Sequence, residues 1–420
     1  MSNIADMKKS AIILVIMMFL PGLSCDEKDE VRVGPVEIKL SQEQIEIIDG
    51  SNRFGLDLFR EVVDAEPASE NLFISPLSVH LALSMAWNGA DGDTRQQMME
   101  VLNYPDHDDE TINASIMKLI EDLLSVDKKV ETGIANSIWY RDTWDIKQDF
   151  LDVNKKYFDA RIGPLDFDNP ASRDIINAWV AEMTNNRIEE IVDQIDVDHV
   201  MFLINAIYFK GVWTKEFVAE NTRERPFYLS AGNQKEVMTM ETEGEFGYAE
   251  RDGYKVAELP YGQGNYSMLV FLPDQDLGAD GLIRKLDTDE WNTLPDRLAS
   301  KQTVNIRLPR FTFEYDTDLD GALINLGMTD AFDERRADLS RIADAGVQNL
   351  YVSRVRHKSF VEVNEEGTEA AAVTSVEVSV TSFDPDAPQI TNFHVNRPFV
   401  FAIKEKYTNS IIFIGRVMEP

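Results

Sequence analysis

The chain has 420 residues, 44% hydrophobic and 10% aromatic, which is enough to bury a large core. Its formal charge is −33 and no run of Lys and Arg interrupts the acidity. That argues against nucleic acid or an anionic membrane surface as a partner, because both need basic patches, and the acidity reads as a solubility device.

Lys8 and Lys9 precede an apolar run from Ala11 to Leu20, too short for a stop-transfer helix of roughly 20 residues. The stretch "PGLSC" then ends in Cys25, the one cysteine, so no internal disulfide can form. Directly after an export signal, Cys25 reads as a bacterial-type lipid attachment site. Ordinary cleavage is the alternative, since Gly22 stands three before the cysteine where an aliphatic residue is usual. Either way residues 1–25 predict export to the cell envelope or beyond. Residues 26–45 read as a polar tether. Residues 46–420 read as one domain without linkers or internal repeats.

Helix signals dominate the first half. Ser75 is a good N-cap, Pro76 suits the first helical position, and Gly89 predicts a stop after 77–88. Asp93 is the expected cap of a second helix with Met98, Val101 and Leu102 on its apolar stripe. In "IINAWVAEMTNNRIEEIV", Ile175/Ile176, Trp179/Val180 and Met183 recur at helical spacing. Strand signals dominate the second half. "FLINAIYF" (202–209) and "YSMLVFLPD" (266–274) are apolar on both faces, as in the middle of a sheet. "FVFAI" and "IIFIGRV" bracket "KEKYTNS" as a hairpin. The sum is an α+β chain with large, mostly antiparallel sheets.

Catalytic patterns are missing from the sequence. None of the five histidines, His80, His107, His199, His357 and His394, lies in an HExxH pattern, and there is no GxSxG elbow or P-loop. One cysteine excludes a thiolate zinc cluster. In "YVSRVRHKSFVEV" period-2 alternation turns His357 inward with Val355, Val361 and Val363. A buried imidazole needs hydrogen-bond partners, and Asn205 inside an apolar strand has the same need. Either each is satisfied separately or they share a polar network under the sheet.

The segment "NEEGTEAAAVTSVEVSVTS" (364–382) is the least conventional. Past Gly367 its even positions are Thr368, Ala370, Ala372, Thr374, Val376, Val378 and Val380; its odd positions are largely polar. One face suits a half-buried strand. Yet the stretch would span roughly 50 Å, far beyond a usual strand, and its first positions are unusually small. It lacks the Gly, Pro, Asn and Asp of a permanent loop. The pattern suits a strand that can be inserted.

At this point the chain resembles the serpins. "NLFISPLSVHLALSMAWNGADGDTRQQM", "FLINAIYFKGVWTKEF", "VAELPYGQGNYSMLVFLPD", "LGMTDAFDERRADLSRI", "NEEGTEAAAV" and "NRPFVFAI" follow that family's order. The resemblance implies a serpin fold of three β-sheets and about nine helices, with an exposed reactive loop between residues 367 and 396. It also implies a monomeric suicide inhibitor, not an enzyme, with no cofactor or metal. A serine protease attacks the loop and forms an acyl-enzyme. The freed loop inserts into the main sheet and traps the protease before hydrolysis. By the same resemblance Glu365, Glu366, Gly367, Thr368, Glu369, Ala370, Ala371 and Ala372 form the hinge. Ser75, Ser78, Asn205 and His357 form the shutter where the central strands part, and Trp213 is the breach tryptophan near the loop's start. Counting from Gly367 places the scissile bond at Thr381–Ser382. The extra length of "FDPDAPQ" leaves Ser382 or Phe383 as alternatives for the specificity pocket. Thr381 after a valine-rich run suggests an elastase-like or subtilisin-like target, and Phe383 a chymotrypsin-like one. A non-inhibitory serpin with a binding or structural role is the second reading. A hydrolase is the third, for which no nucleophile–base pair is found.

Overall fold

Ser41 starts the first helix by a reciprocal cap. Its hydroxyl accepts the Gln44 N–H (3.2 Å) while the Gln44 side chain accepts the Ser41 N–H (2.8 Å), and helix α1 runs Gln42–Ala65. The computed structural model describes residues 34–197, 199–229, 232–344, 349–368 and 390–420. The expected export signal with Cys25 lies outside them. Of the expected tether, residues 34–45 are described and lie on the domain: the Val36 N–H donates to Asn265 Oδ1 (2.7 Å), and Asn265 Nδ2 donates back to the Val36 carbonyl (2.8 Å).

Helix α2 (Pro76–Trp87) begins as expected, with Ser75 accepting the Ser78 N–H at 3.2 Å and Pro76 in the first turn. It is buried on nearly all sides, so it is a central helix rather than an amphipathic one. Gly89 follows for a packing reason as well as a conformational one: a Cβ there would collide with Ile342 and Phe150. Helix α3 (Gly92–Val101) differs in its start. Asp91 precedes it and Asp93 sits in the first turn, because Gly92 takes a left-handed φ of +53° and makes the turn. The expected stripe of Met98, Val101 and Leu102 is buried. Helices α4 (Asp109–Ser125) and α5 (Gln148–Phe158) follow. In α6 (Ala171–Met183) Ile176, Trp179 and Val180 are buried, whereas Ile175 turns out to solvent. With α7 (Gly278–Lys285), α8 (Thr288–Leu298) and α9 (Asp320–Leu326), there are nine α-helices among the described residues.

Two hydrogen-bonded assemblies of strands carry the core. The first has six strands, β1 (Phe311–Asp318), β2 (Arg356–Val363), β3 (Gly367–Thr368), β4 (Met201–Val212), β5 (Val130–Arg141) and β6 (Arg161–Leu165), in that spatial order and labelled here across the sheet. The second has nine strands and is organised by β7 (Gln234–Arg251), which is 18 residues long. The N-terminal part of β7 pairs with β8 (Arg223–Tyr228) and β9 (Lys301–Pro309); its C-terminal part pairs with β10 (Tyr254–Tyr261). The nine strands are therefore two sheets sharing one long strand, which with the six-stranded sheet accounts for the three expected. The predicted hairpin is β11 (Phe399–Glu405) against β12 (Ile411–Val417), every residue of both strands buried. Strand β13 (Tyr266–Pro273) beside it is likewise buried throughout. On the six-stranded sheet one face packs on α2 and the hairpin. The other carries α6, whose Trp179 and Val180 meet Trp139, Ile204 and Ala206.

Candidate functional site

The alternation in β2 holds where predicted: His357, Ser359, Val361 and Val363 are buried and their neighbours less so. The strand begins at Arg356 rather than near Tyr351. Upstream, the Val352 N–H donates to the Ala331 carbonyl (2.8 Å) and the Val355 N–H to Asp320, which draws the backbone away from the ladder. Strands β2 and β4 flank the middle of the sheet, and among the described residues their register is joined through the two-residue β3 alone.

That short strand is the start of the segment expected to be an exposed loop. Gly367 pairs with Val212, and Thr368 pairs with Gly211 on one side and Val363 on the other, both antiparallel. Thr368 is 4% exposed, and its hydroxyl shares a hydrogen bond of 2.8 Å with the Tyr261 hydroxyl. Thr368, one of the expected hinge residues, is therefore already buried in the sheet. Two glycines allow it: a Cβ at 367 would overlap the Gly211 carbonyl, and a Cβ at 211 would press on the Tyr261 ring. Glu369, Ala370, Ala371 and Ala372, with Thr381, Ser382 and Phe383, lie outside the described residues. At the far end of the segment, Thr391–His394 form a strand parallel to β9.

The turn before β3 is fixed by several independent contacts. Asn364 Oδ1 accepts the N–H groups of Glu366 (3.1 Å) and Gly367 (3.3 Å). Trp213 holds the same turn from the side. Its backbone N–H donates to the Glu366 carbonyl (2.8 Å), its Nε1–H donates to the Asn364 carbonyl (2.9 Å), and its ring stacks on Tyr261 at 4.3 Å. Glu365, 7% exposed, accepts from Arg310 Nε (2.8 Å), from Arg310 Nη2 and from the Thr222 hydroxyl. Burial alone would raise its pKa, but the Arg310 and Thr222 hydrogen bonds win and hold it below the usual carboxylate range. Glu366 goes the other way, raised by partial burial and by the neighbouring Glu216 and Glu365.

Further down the sheet, the polar residues predicted to meet do meet, by a route that the side chains alone did not indicate. His357 Nε2 accepts the Ser75 N–H (3.1 Å), which places the ring proton on Nδ1. Ser75 donates to the Ile412 carbonyl (2.7 Å), and Ser78 donates to the backbone carbonyl of Asn205 (3.3 Å). The Asn205 amide donates instead to Asn136 Oδ1 (2.8 Å), directly opposite on β5. The N-terminus of α2 thus ties β2 to β4, while Asn136 ties β4 to β5. The Asn205 Oδ1 is buried and without a partner among the described residues. Burial pushes the His357 pKa down to about 4, so the ring is neutral at physiological pH. Asn136, Arg310, Thr222 and Tyr261 escaped the sequence reading. An asparagine in the apolar run "IANSIWY" was the one available signal for Asn136.

The space between β2 and β4 changes along its length. Just below Thr368 is a cavity of about 30 Å³, lined by Ile207, Phe209, Ser359 and Val361. Lower down is one of about 180 Å³, lined by Met201, Leu203, Asn205, Ser353, Val355 and His357.

Against known proteins, residues 49–420 match the family model "Serpin (serine protease inhibitor)". The chain is 36% identical over 383 residues to the leukocyte elastase inhibitor of Sus scrofa, covering 88% of this chain and 98% of that protein. Among solved structures it is similar to the thermophilic serpin tengpin, at 33% identity in two states. The TM-score is 0.81 against the native state (93% of this chain, 98% of that one) and 0.76 against the latent state (91% and 99%). The fold, the parted central strands and these matches together establish that the chain belongs to the serpin family.

Proposed function

We propose that this protein is an exported suicide inhibitor of a serine protease, which traps the acyl-enzyme by inserting its cleaved loop between β2 and β4. The observation that carries this reading is a match of sizes. Each step forward from Thr368 is a step back along β4 and along β2, given the pairings Thr368–Gly211 and Thr368–Val363. On insertion Ala370 and Ala372 fall beside Phe209 and Ile207, at the narrow cavity; Val376 and Val378 fall beside Leu203 and Met201, at the wide one. Thr374 falls between Asn205 and His357, where a hydroxyl can donate to Asn205 Oδ1, which has no partner among the described residues. A small-then-bulky stripe fits a narrow-then-wide cleft.

The scissile bond is Thr381–Ser382, with Ser382 or Phe383 in the specificity pocket as the alternative. The target is elastase-like or subtilisin-like for Thr381 and chymotrypsin-like for Phe383. The leukocyte elastase inhibitor's name supports the first. Export and lipidation at Cys25 belong to the same proposal on sequence grounds, and mass measurement of the membrane-extracted protein tests them. Incubation with an elastase-like protease is expected to give a complex that survives boiling in detergent, with mass spectrometry locating the cut. Turnover without such a complex would favour the non-inhibitory reading.

A further inference from the structure

The segment joining α6 to β4 crosses the outer face of the six-stranded sheet, on the side opposite the Asn205–His357 cluster. Its inner side chains Ile188 and Val192 pack with Trp179 and Ile204 on the β4 side. Its charged side chains reach across the parting to the β2 side. The Asp193 carboxylate meets Arg356 Nη1 at 3.0 Å and Arg354 Nη1 at 3.3 Å. Near the other end of the same crossing, Arg187 lies 3.8 Å from Glu362 and 5.0 Å over the Phe360 ring. Both arginines are held ready by carboxylates on their own side of the parting: Arg354 by Asp318 (2.7 and 2.9 Å) and Arg356 by Asp316 (2.8 and 2.7 Å). Asp193 adds a second carboxylate to arginines already neutralised, so it is not required for their burial.

We infer that Asp193, Arg354 and Arg356, with Arg187 on Glu362 and Phe360, form a charge clasp across the cleft that must open for a strand to insert, and that ionic strength therefore sets the insertion rate. The inference rests on the insertion reading proposed above. Adding a strand along the whole cleft requires β2 and β4 to stand two interstrand spacings apart, roughly 9.5 Å. Contacts of 3–4 Å spanning that line cannot all persist while the segment stays packed on β4. All the side chains concerned are partly exposed, so each pair is individually weak and screened by salt. The clasp consequently acts on the barrier to opening and leaves the final inserted state untouched. The chain's −33 charge leaves Asp193 in a field that favours cationic partners, which suits a clasp built on arginine.

The test is the annealing rate of a synthetic peptide with the sequence of residues 369–380 into the intact protein, followed by native electrophoresis from 0.05 to 1 M NaCl (~20-fold in salt). The wild type is expected to anneal faster as salt rises. Asp193→Asn should anneal about 3- to 10-fold faster at low salt and lose most of the salt response. Asp193→Glu should restore that response, and the effects of Asp193→Asn and Arg354→Gln should be less than additive. A rate and salt response unchanged in Asp193→Asn, with the peptide annealing normally, would overturn the clasp alone. No annealing in the wild type or any variant would overturn the insertion reading and the clasp together.

Discussion

The two ends of the cleft are built differently. At the top, around β3, the buried polar groups of Trp213, Tyr261, Glu365 and Thr368 are matched. Trp213, Tyr261 and Thr368 are buried and bonded to one another or to the turn, Glu365 has Arg310 and Thr222, and two glycines bring the backbones together. Lower down the cavity is about 180 Å³ and Asn205 Oδ1 has no partner among the described residues. Tight packing is what holds a protein interior, and a void beside an unmet acceptor is a cost that a new strand can remove. The top is closed by Thr368 paired between β2 and β4, and the cleft below it is less completely filled.

The largest effect is expected from breaking the top. Thr368→Arg puts a charge where the side chain is 4% exposed. A buried unpaired charge costs several kcal/mol, so β3 should leave the sheet. The variant should be cleaved as a substrate, read as loss of the detergent-stable complex. Trp213→Ala removes the stacked ring and the Nε1–H bond to Asn364. By analogy with other buried tryptophans it should cost about 3–5 kcal/mol of intact-state stability, measured by denaturant unfolding.

Acid should act on the interior below the top. His357 and His80 are both buried, and both are held down to about 4 from 6.5. The folded form binds fewer protons than the unfolded one between those values. Their stabilisation is therefore full above about pH 6.5 and is lost as pH falls toward 4, amounting to about 3 kcal/mol each. Glu365, whose folded pKa is lowered, loses its contribution in the same direction but below the ordinary carboxylate value. His357→Gln should flatten part of the pH dependence of the melting temperature between 6.5 and 4. The smallest effect is expected from Asn136→Ala, which removes the acceptor of the Asn205 amide and the donor to the Phe158 carbonyl. A loss of about 1–3 kcal/mol in the intact form is expected, measured by thermal melting.

Much of this was legible in the chain. Period-2 alternation turned His357 inward, and a lone asparagine in an apolar strand marked Asn205; Ser75 followed by Pro76 marked the helix start that joins them. What could not be read were contacts between residues far apart in sequence. Arg310 with Glu365 and Tyr261 with Thr368 depend on how strands are arranged, and nothing in their local patterns announces them. The early burial of Thr368 was hidden for the same reason, because it depends on Gly211 and Gly367 meeting across strands. The start of α3 was misplaced by two residues because Asp91 and Asp93 offer equal capping chemistry, and the left-handed turn at Gly92 decides between them.

The most direct measurement is the melting temperature of the protein before and after one cut in the loop, both fragments remaining together. A cleft waiting for residues 369–380 predicts that the cut molecule melts well above the intact one. Equal or lower melting, with that segment still open to a second protease, would contradict the account.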